Sequence, residues 1–382
     1  MSRPTVVKAL WGAAVLVLVA GCSSGGSEDR PGTAPPTSPP VTATAPASAG
    51  PSGSASAPAG GRVAVAGTLT EGLRSPWGLA ELPGGDLLVS SRDERTITRI
   101  DGRTGAKTPL GEVPGVVPGG EGGLMGLAVR DGWVYAYLTA ESDNRIVRMR
   151  YGGGDGDRLG APQPVLTGIP KGLVHNGGRI AFGPDRMLYA GTGETGRTGL
   201  AQDRESLGGK ILRMTPEGRP APGNPFAGSV VYSYGHRNVQ GIAWDDEGRL
   251  WAAEFGQNTW DELNLVEPGK NYGWPEAEGR AGEARFVDPV AQWPTSEASP
   301  SGIAYARGAI WMAGLRGQRL WRVPLSGAER SGDPGAFLSE EYGRLRTVLA
   351  GGGGRLWLVT SETDGRGTPG PGDDRILRLE VS

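Results

Sequence analysis

Six segments of the chain repeat one arrangement of apolar and polar positions. Each has a short apolar run, a polar turn with Gly or Asp and a second apolar run, and successive segments start about fifty residues apart. A further run follows most segments and alternates apolar with charged residues, as in Thr96–Ile100 and Lys210–Met214, which is typical of a strand with one face in water. The segments begin at Trp77, Met125, Arg179, Gln240, Ser301 and Arg346.

This repeat predicts an all-β fold, a six-bladed β-propeller of four-stranded antiparallel blades. Long helical periodicity is missing from the chain. A β-sandwich would explain the strands but not six copies of one unit. The segment Arg62–Leu69 lies ahead of the first unit, and we expect it to supply the outer strand of the last blade and so close the ring.

The first residues have the pattern of an export signal. Arg3 and Lys8 precede an apolar run, Ala9–Ala20, that is too short to span a bilayer comfortably. Small residues stand directly before Cys22, the single cysteine of the chain. We therefore predict that residues 1–21 are a lipoprotein signal and that Cys22 is lipidated. The alternative is an ordinary signal peptide with an incidental cysteine.

Composition divides the rest of the chain into a tether and a folded part. Residues 22–60 are almost all Ser, Gly, Pro, Ala and Thr and cannot bury enough apolar surface to fold, so they are predicted to tether residues 61–382 to the membrane. Lipidation would use the thiol of the only cysteine, so no thiol is left to form a disulfide. The formal net charge is −2, so nothing indicates a nucleic acid as partner.

The chemistry of a propeller is expected in its loops, and the longest intervals lie between the third, fourth and fifth units. The two histidines of the chain, His175 and His236, both stand in Gly-flanked loops within these intervals. One of them is a natural general-base candidate, although a lone loop histidine is as often structural. Residues 254–275 carry carboxylates, amides and loop carbonyls around glycine, the oxygen donors that Ca²⁺ accepts, although as bare sequence a solvated turn explains them better.

One motif of the chain is specific, namely Tyr232–Gly241, which reads Tyr-Ser-Tyr-Gly-His-Arg-Asn-Val-Gln-Gly. Further motifs extend over essentially the whole folded part. They are Gly120–Gly126, His175–Arg179, Leu207–Arg213, Gly223–Phe226, Asp261–Asn264, Gly269–Pro275, Pro300–Ala304 and Arg344–Arg346. Together, and in this order, the motifs resemble those of the soluble pyrroloquinoline quinone (PQQ) dependent glucose and aldose sugar dehydrogenases.

The resemblance implies oxidation of an aldose at C1 to the lactone, with His175 as the base that takes the proton of the anomeric hydroxyl. It implies PQQ as the cofactor, and its tricarboxylate charge suits several converging guanidiniums. The implied cofactor-binding residues are Glu121, Arg237, Asn238, Arg316, Arg344 and Arg346. The implied calcium ligands are Glu262, Tyr272 and the backbone carbonyls of Gly256 and Gln257. His236 is then better explained as loop structure.

Four positions depart from the family pattern. Glu121 replaces a Gln and places a carboxylate near an anionic cofactor, where it should repel unless Arg344 or another cation intervenes. Arg316 replaces a Lys, and its planar fork cannot reproduce the contact of a compact ammonium without adjustment. Glu194 replaces an Asp. Gln257 replaces a Pro, which is no obstacle because only the carbonyl at this position matters.

Three functions fit these observations to different degrees. The first is a lipid-anchored, extracytoplasmic dehydrogenase that takes an aldose sugar and passes electrons to an extracytoplasmic acceptor. The second is a non-catalytic propeller that binds sugar or protein, since one fold hosts many functions. The third, a metal-dependent lactonase, would need several carboxylate or His ligands at the channel, and two histidines make it a poor match.

Overall fold

The computed structural model describes residues 61–152 and 158–382. The predicted signal 1–21, the tether 22–60 and Cys22 lie outside these residues. Six separate antiparallel sheets make up the described chain, and the only helices in it are two single turns of 3₁₀ helix, Thr198–Ala201 and Gly352–Gly354. In the described part of the chain, no helix is long and apolar enough to cross a membrane.

The strands follow one another in chain order from blade to blade, which confirms the predicted six-bladed propeller. Strand β1 (Val63–Thr70) precedes the first blade. Blade one contains β2 (Pro76–Glu81), β3 (Leu87–Ser91), β4 (Thr96–Ile100) and β5 (Lys107–Glu112). Blade two contains β6 (Leu124–Arg130), β7 (Trp133–Thr139), β8 (Asn144–Arg150) and β9 (Gln163–Ile169). Blade three contains β10 (Ile180–Phe182), β11 (Leu188–Gly191), β12 (Lys210–Met214) and β13 (Val231–Tyr234). Blade four contains β14 (Val239–Trp244), β15 (Leu250–Glu254), β16 (Trp260–Val266) and β17 (Ala291–Pro294). Blade five contains β18 (Pro300–Ala306), β19 (Ala309–Gly314), β20 (Arg319–Ser326), β21 (Glu329–Arg330) and β22 (Gly335–Phe337). Blade six contains β23 (Leu345–Ala350), β24 (Arg355–Thr360) and β25 (Ile376–Val381).

The ring is closed by pairing the two ends of the described chain. Strand β1 lies antiparallel to β25, with Val63 opposite Val381 and Thr70 opposite Ile376. The sixth blade is therefore the sheet β1-β25-β24-β23, which confirms the predicted role of Arg62–Leu69. Without β1, the edge of β25 would expose unpaired backbone groups.

In four of the six units, a glycine in the first strand is explained by close backbone approach between neighbouring blades. A Cβ atom on Gly78 would lie 2.4 Å from the carbonyl oxygen of Met125, and one on Gly126 would lie 2.2 Å from that of Gly178. Real Cβ contacts are longer than this, so only glycine fits. Apolar side chains fill the space between the blades farther out. They include Trp251, Trp311 and Trp357, which occupy matching places in the second strands of blades four to six and are almost fully buried.

Strand direction decides which loops meet. Because successive strands of a blade are antiparallel, the loops that enter each blade and the loops that join its second and third strands open on the same face. The segment 170–179 enters blade three, and the segment 235–238 enters blade four. The segment 361–375 joins the second and third strands of blade six. Residues far apart in the sequence therefore converge at one mouth.

A buried lysine fixes one of these loops. Lys210, at the start of β12, is fully buried, and its Nζ donates hydrogen bonds to the carbonyl oxygens of Leu200 at 2.6 Å, Gly208 at 2.7 Å and Ala201 at 3.0 Å. The carbonyl oxygens of Leu200 and Gly208 have no other donor in the described chain, whereas that of Ala201 also accepts the N–H of Gly235. The buried amine thus holds the segment 198–209 against the third blade.

Replacing this lysine should destabilise the fold. We expect Lys210→Met to lower the free energy of unfolding by roughly 3 kcal/mol, because it leaves the carbonyls of Leu200 and Gly208 without a donor and removes a third hydrogen bond, to Ala201. Urea denaturation followed by tryptophan fluorescence measures the loss. Lys171→Met is the matched control, because Lys171 also donates to two carbonyls, those of Ala140 and Glu141, but from a half-buried position. A loss no greater than that of the control would contradict the role assigned to Lys210.

Candidate active site

His175 lies in the loop that enters blade three, in a backbone conformation that residues other than glycine rarely adopt. Its φ is +52°, and its peptide N–H donates to Oε2 of Glu121 at 2.8 Å. The next side chain, Asn176, is buried and bonds both backbone groups of Gly172. A Cβ atom on Gly177 would lie 2.5 Å from the carbonyl oxygen of Gly191. The loop is therefore held on both sides of the histidine.

The neighbours of the His175 ring define its protonation state. Nδ1 lies 2.5 Å from Oε1 of Glu194, and Nε2 lies 3.0 Å from Nη2 of Arg237. A guanidinium can only donate hydrogen bonds, so Nε2 must be the acceptor and Nδ1 must carry the proton. The arrangement assigns a neutral ring with its lone pair on Nε2. Glu194, whose side chain is 1 % exposed, orients the ring.

Arg237 and Asn238 connect this loop to the one that enters blade four. The Arg237 guanidinium lies 5.4 Å from the Trp274 ring, and its Nη1 donates to the carbonyl oxygen of Phe255 at 3.2 Å. Burial lowers the pKa of Arg237, and nearby carboxylates, Glu194 first, partly offset this. Asn238 accepts the N–H of Gly177 at 2.9 Å. Within the described residues, Nε of Arg237 and Nδ2 of Asn238 are buried donors that have no partner.

A cavity of about 300 Å³ opens beside these residues and has an unusually cationic wall. Five arginines line it against two carboxylates, Glu121 and Asp364, so the lining carries a net charge of +3. One of the five, Arg92, is also paired outside the cavity with Asp93 at 2.7 Å. The lining residues are Trp77, Arg92, Glu121, Gln240, Phe255, Ser299, Leu315, Arg316, Arg344, Arg346, Asp364 and Arg366.

Two of the arginines share a single carboxylate. Nη2 of Arg344 and Nη2 of Arg346 lie 2.9 Å and 3.1 Å from Oδ2 of Asp364. Burial acts to raise the pKa of Asp364, but Arg346 and Arg344 outweigh it and lower that pKa to about 2. Burial lowers the pKa of Arg346 to about 10, which leaves it charged at neutral pH. The pair therefore presents more positive charge than Asp364 neutralises.

The remaining charged residues lie at the rim. Arg316 is exposed and lines both this cavity and a neighbouring groove of about 540 Å³. Arg366 also lines both, and its Nη2 lies 2.6 Å from Oε1 of Glu121. Glu121 thus meets a cation, as its place near the cavity requires, but that cation is Arg366 and not Arg344.

The predicted calcium ligands fall into two groups. Glu262 is buried beside Glu254, and Nδ2 of Asn264 bridges the two carboxylates at 3.0 Å and 3.1 Å. Burial, with Glu254 as the next cause, raises the pKa of Glu262 to about 8. Oδ1 of Asn264 is a buried acceptor with no partner in the described chain. These oxygens form a donor set that a hard cation would suit.

The carbonyls of Gly256 and Gln257 lie at the cavity end of this region, next to Phe255. Neither accepts a hydrogen bond from the residues that the structure describes. Tyr272 does not join either group, because its hydroxyl donates to the carbonyl oxygen of Leu265 and accepts the N–H of Glu267. In the described ranges, no cluster of three or more His, Cys, Asp or Glu side chains could hold a metal ion.

Comparison with known proteins assigns the family. The family model described as glucose/sorbosone dehydrogenase matches residues 73–377. The chain belongs to this family. Two curated members are similar to it: aldose sugar dehydrogenase YliI of Escherichia coli K12, 29 % identical over 81 % of this chain and 92 % of that protein, and quinoprotein glucose dehydrogenase B of Acinetobacter calcoaceticus, 29 % identical over 56 % and 53 %.

A solved structure is more similar still. It is the PQQ-bound form of aldose sugar dehydrogenase from Streptomyces coelicolor, which is 70 % identical to this chain, covers 85 % of this chain and 99 % of its own, and superposes with a TM-score of 0.83. The fold and the family are thus established together.

The structure of this glucose/sorbosone dehydrogenase family member brings most of the predicted site residues to one mouth and adds others. His175, Glu121, Arg237 and Asn238 contact one another directly or through one residue, and Arg316, Arg344 and Arg346 line the adjoining cavity. Sequence reasoning missed Asp364, Arg366 and Arg92. No local pattern marks them, because Arg366 meets Glu121 across 245 positions of the chain.

The proton position on His175 can be measured directly. Because the chain has only two histidines, protein with ¹⁵N-labelled histidine gives two sets of ring signals, and His175→Gln assigns them. At a pH where the ring is neutral, we expect the Nε2 signal of His175 to be that of a bare nitrogen and the Nδ1 signal to be that of a protonated one. A bare Nδ1 would contradict the contacts with Glu194 and Arg237.

Proposed function

We propose that the protein is a PQQ-dependent aldose dehydrogenase that oxidises its sugar at C1 to the lactone, with His175 as the general base. One juxtaposition carries this proposal, namely the neutral His175 ring beside a cavity whose lining has a net charge of +3. The 70 % identity to a PQQ-bound aldose sugar dehydrogenase supports the choice of cofactor.

The cavity residues fit the proposed cofactor. PQQ carries three carboxylates, and Arg344, Arg346 and Arg316 supply guanidiniums of which only one is neutralised by Asp364. Arg237 and Asn238 each carry a buried donor without a partner in the described residues, although neither residue lines the cavity. When bound, PQQ supplies the acceptor for the two electrons and the hydrogen that leave C1 of the sugar.

His175 handles the proton of this reaction. Its Nε2 lone pair accepts the proton of the C1 hydroxyl, which relieves the positive character that grows on C1 as hydride departs. The ring then becomes an imidazolium, with Nδ1 still held by Glu194 at 2.5 Å. Arg237 keeps the ring in place before the sugar binds by donating to Nε2. Glu194 thus serves as the orienting carboxylate in place of an aspartate.

We also propose calcium at two places in this region. The carbonyls of Gly256 and Gln257 would hold an ion next to the cavity, where it would act as a Lewis acid. Glu262, with Asn264 and Glu254, would hold another and relieve the repulsion between the two carboxylates. Tyr272 would contribute only if its hydroxyl exchanged its present partners, Leu265 and Glu267.

The cellular setting is proposed from the sequence. Lipidation of Cys22 would anchor the mature protein to the outer side of the bacterial cell membrane, with residues 23–60 as the tether. An extracytoplasmic acceptor would then take the electrons from the reduced cofactor. Strand β1 begins at Val63, at the end of β25 that lies away from the loop 361–375.

His175→Ala should separate binding from chemistry. We expect the variant to retain PQQ but to lose at least about 100-fold in kcat with an aldose and an artificial electron acceptor, because a positioned base contributes roughly that much. Titration of the apo-protein with PQQ and Ca²⁺ measures binding, and dye reduction measures turnover. Wild-type protein that neither binds PQQ nor reduces the dye would refute the dehydrogenase and favour a non-catalytic binding propeller. Full activity in the variant would remove His175 from the role of base.

Arg344→Ala tests the charge of the cavity. We expect the dissociation constant for PQQ to rise by about tenfold or more, because a hydrogen bond to a charged group contributes about 1.5–3 kcal/mol. Arg74→Ala is the matched control, since Arg74 is an exposed arginine that does not line the cavity. Equal affinities in the two variants would show that the guanidinium of Arg344 does not hold the cofactor.

A further inference from the structure

An ion pair joins two distant loops over the mouth. Arg366 stands in the loop that joins β24 and β25, and Glu121 stands in the segment between β5 and β6. Nη2 of Arg366 lies 2.6 Å from Oε1 of Glu121, and the two side chains are 61 % and 20 % exposed. The pair therefore links blade six to the entrance of blade two across the intervening blade one.

The second oxygen of the same carboxylate holds the base. Oε2 of Glu121 accepts the peptide N–H of His175 at 2.8 Å, at a residue whose φ is +52°. A non-glycine residue in this conformation is strained, and neighbouring contacts must hold it there. Glu121 is the only side chain that accepts this N–H in the described chain. Its orientation therefore affects where the His175 ring lies.

Arg366 determines whether Glu121 can keep that orientation. Arg344 and Arg346 line the same cavity and are only partly neutralised by Asp364, so they would compete for a free carboxylate. The contact with Arg366 satisfies Oε1 from the rim and leaves Oε2 directed at His175. It also offsets the negative charge that Glu121 would otherwise present to an anionic ligand.

We propose that Arg366 is a positioning residue for the base: it holds the Glu121 carboxylate, which in turn holds the His175 peptide in its left-handed conformation. Arg366 thus acts on the reaction through Glu121 and not by contact with the sugar. The inference rests on the proposed function only for the effect of Arg366 on turnover. The effect of Arg366 on the His175 peptide is testable without cofactor or substrate.

The effect of Arg366 on the His175 peptide is measured from the backbone amide signal of His175 in the full chain. Selective ¹⁵N-histidine labelling gives two backbone amide signals, one from each histidine of the chain. An N–H that donates to a carboxylate resonates downfield, so Glu121→Gln should move the His175 signal upfield. We expect Arg366→Ala to move it in the same direction, Arg366→Lys to restore it, and the His236 signal to stay unchanged. No movement of the His175 signal in Arg366→Ala would overturn the proposal.

The kinetic half is a double-mutant cycle. We expect Arg366→Ala and Glu121→Ala each to lower kcat by about tenfold, because a small displacement of a catalytic group is costly. The double variant should lose no more than Glu121→Ala alone, since Arg366 acts only through that carboxylate. A clearly larger loss in the double variant would mean that Arg366 contacts substrate or cofactor directly and would overturn the proposal.

Arg285→Ala is the matched control, because Arg285 is an exposed arginine that pairs with Glu276 and Glu283 and lines neither cavity. It should change neither the His175 amide signal nor kcat. The two proposals fail in different ways. A wild-type protein without PQQ binding or turnover refutes the dehydrogenase, whereas an active wild type with an unmoved His175 signal in Arg366→Ala refutes only the role of Arg366.

Discussion

The antiparallel pairing of β1 with β25 is the constraint on which the rest of the molecule depends. It joins residues from the two ends of the described chain into the sixth blade and leaves no free edge between the first and last units. Once the ring is closed, the innermost strands are so near one another that glycine is required at Gly78 and Gly126. The loops of all six blades then converge around one axis.

That convergence concentrates positive charge in the channel, where aromatic and amide groups contact the buried arginines. Arg179 and Arg346 both lie against the ring of Trp77, at 4.3 Å and 5.8 Å from its centroid. Both also donate to Gln240, and burial lowers the pKa of Arg179 to about 9, with the nearby Arg346 as the second cause. Aromatic and amide groups thus hold cations that carboxylates do not fully neutralise. This excess charge makes the mouth suitable for an anionic cofactor.

The two histidines show how one residue type serves different purposes. His236 is fully buried, with Nδ1 2.7 Å from Glu254 and Nε2 2.8 Å from Oγ of Ser233. This line of Ser, His and Glu resembles a hydrolytic triad, but its burial excludes a substrate from it. Glu254 instead accepts the peptide N–H of Arg237 at 2.8 Å. The buried histidine therefore supports the arginine that contacts the ring of His175, as expected for loop structure.

The sequence by itself determined the fold, because a repeated unit can bury its apolar faces only by stacking against its neighbours. The spacing of the units, the strand alternation and the place of Arg62–Leu69 all followed from the pattern of residues. The motifs around His175, Arg237 and Arg344 also indicated the family without coordinates. Their roles in catalysis and binding remain predictions that the contacts support.

Tertiary structure alone decided which charges meet. The sequence flagged Glu121 as a carboxylate that needs Arg344 or another cation beside it, and in the structure Arg344 pairs with Asp364 while Arg366 reaches Glu121. The lone pair on Nε2 of His175 likewise depends on Glu194 and Arg237, which lie on different loops. Such pairings depend on distances of a few ångströms between loops of separate blades, and a one-dimensional pattern does not contain those distances.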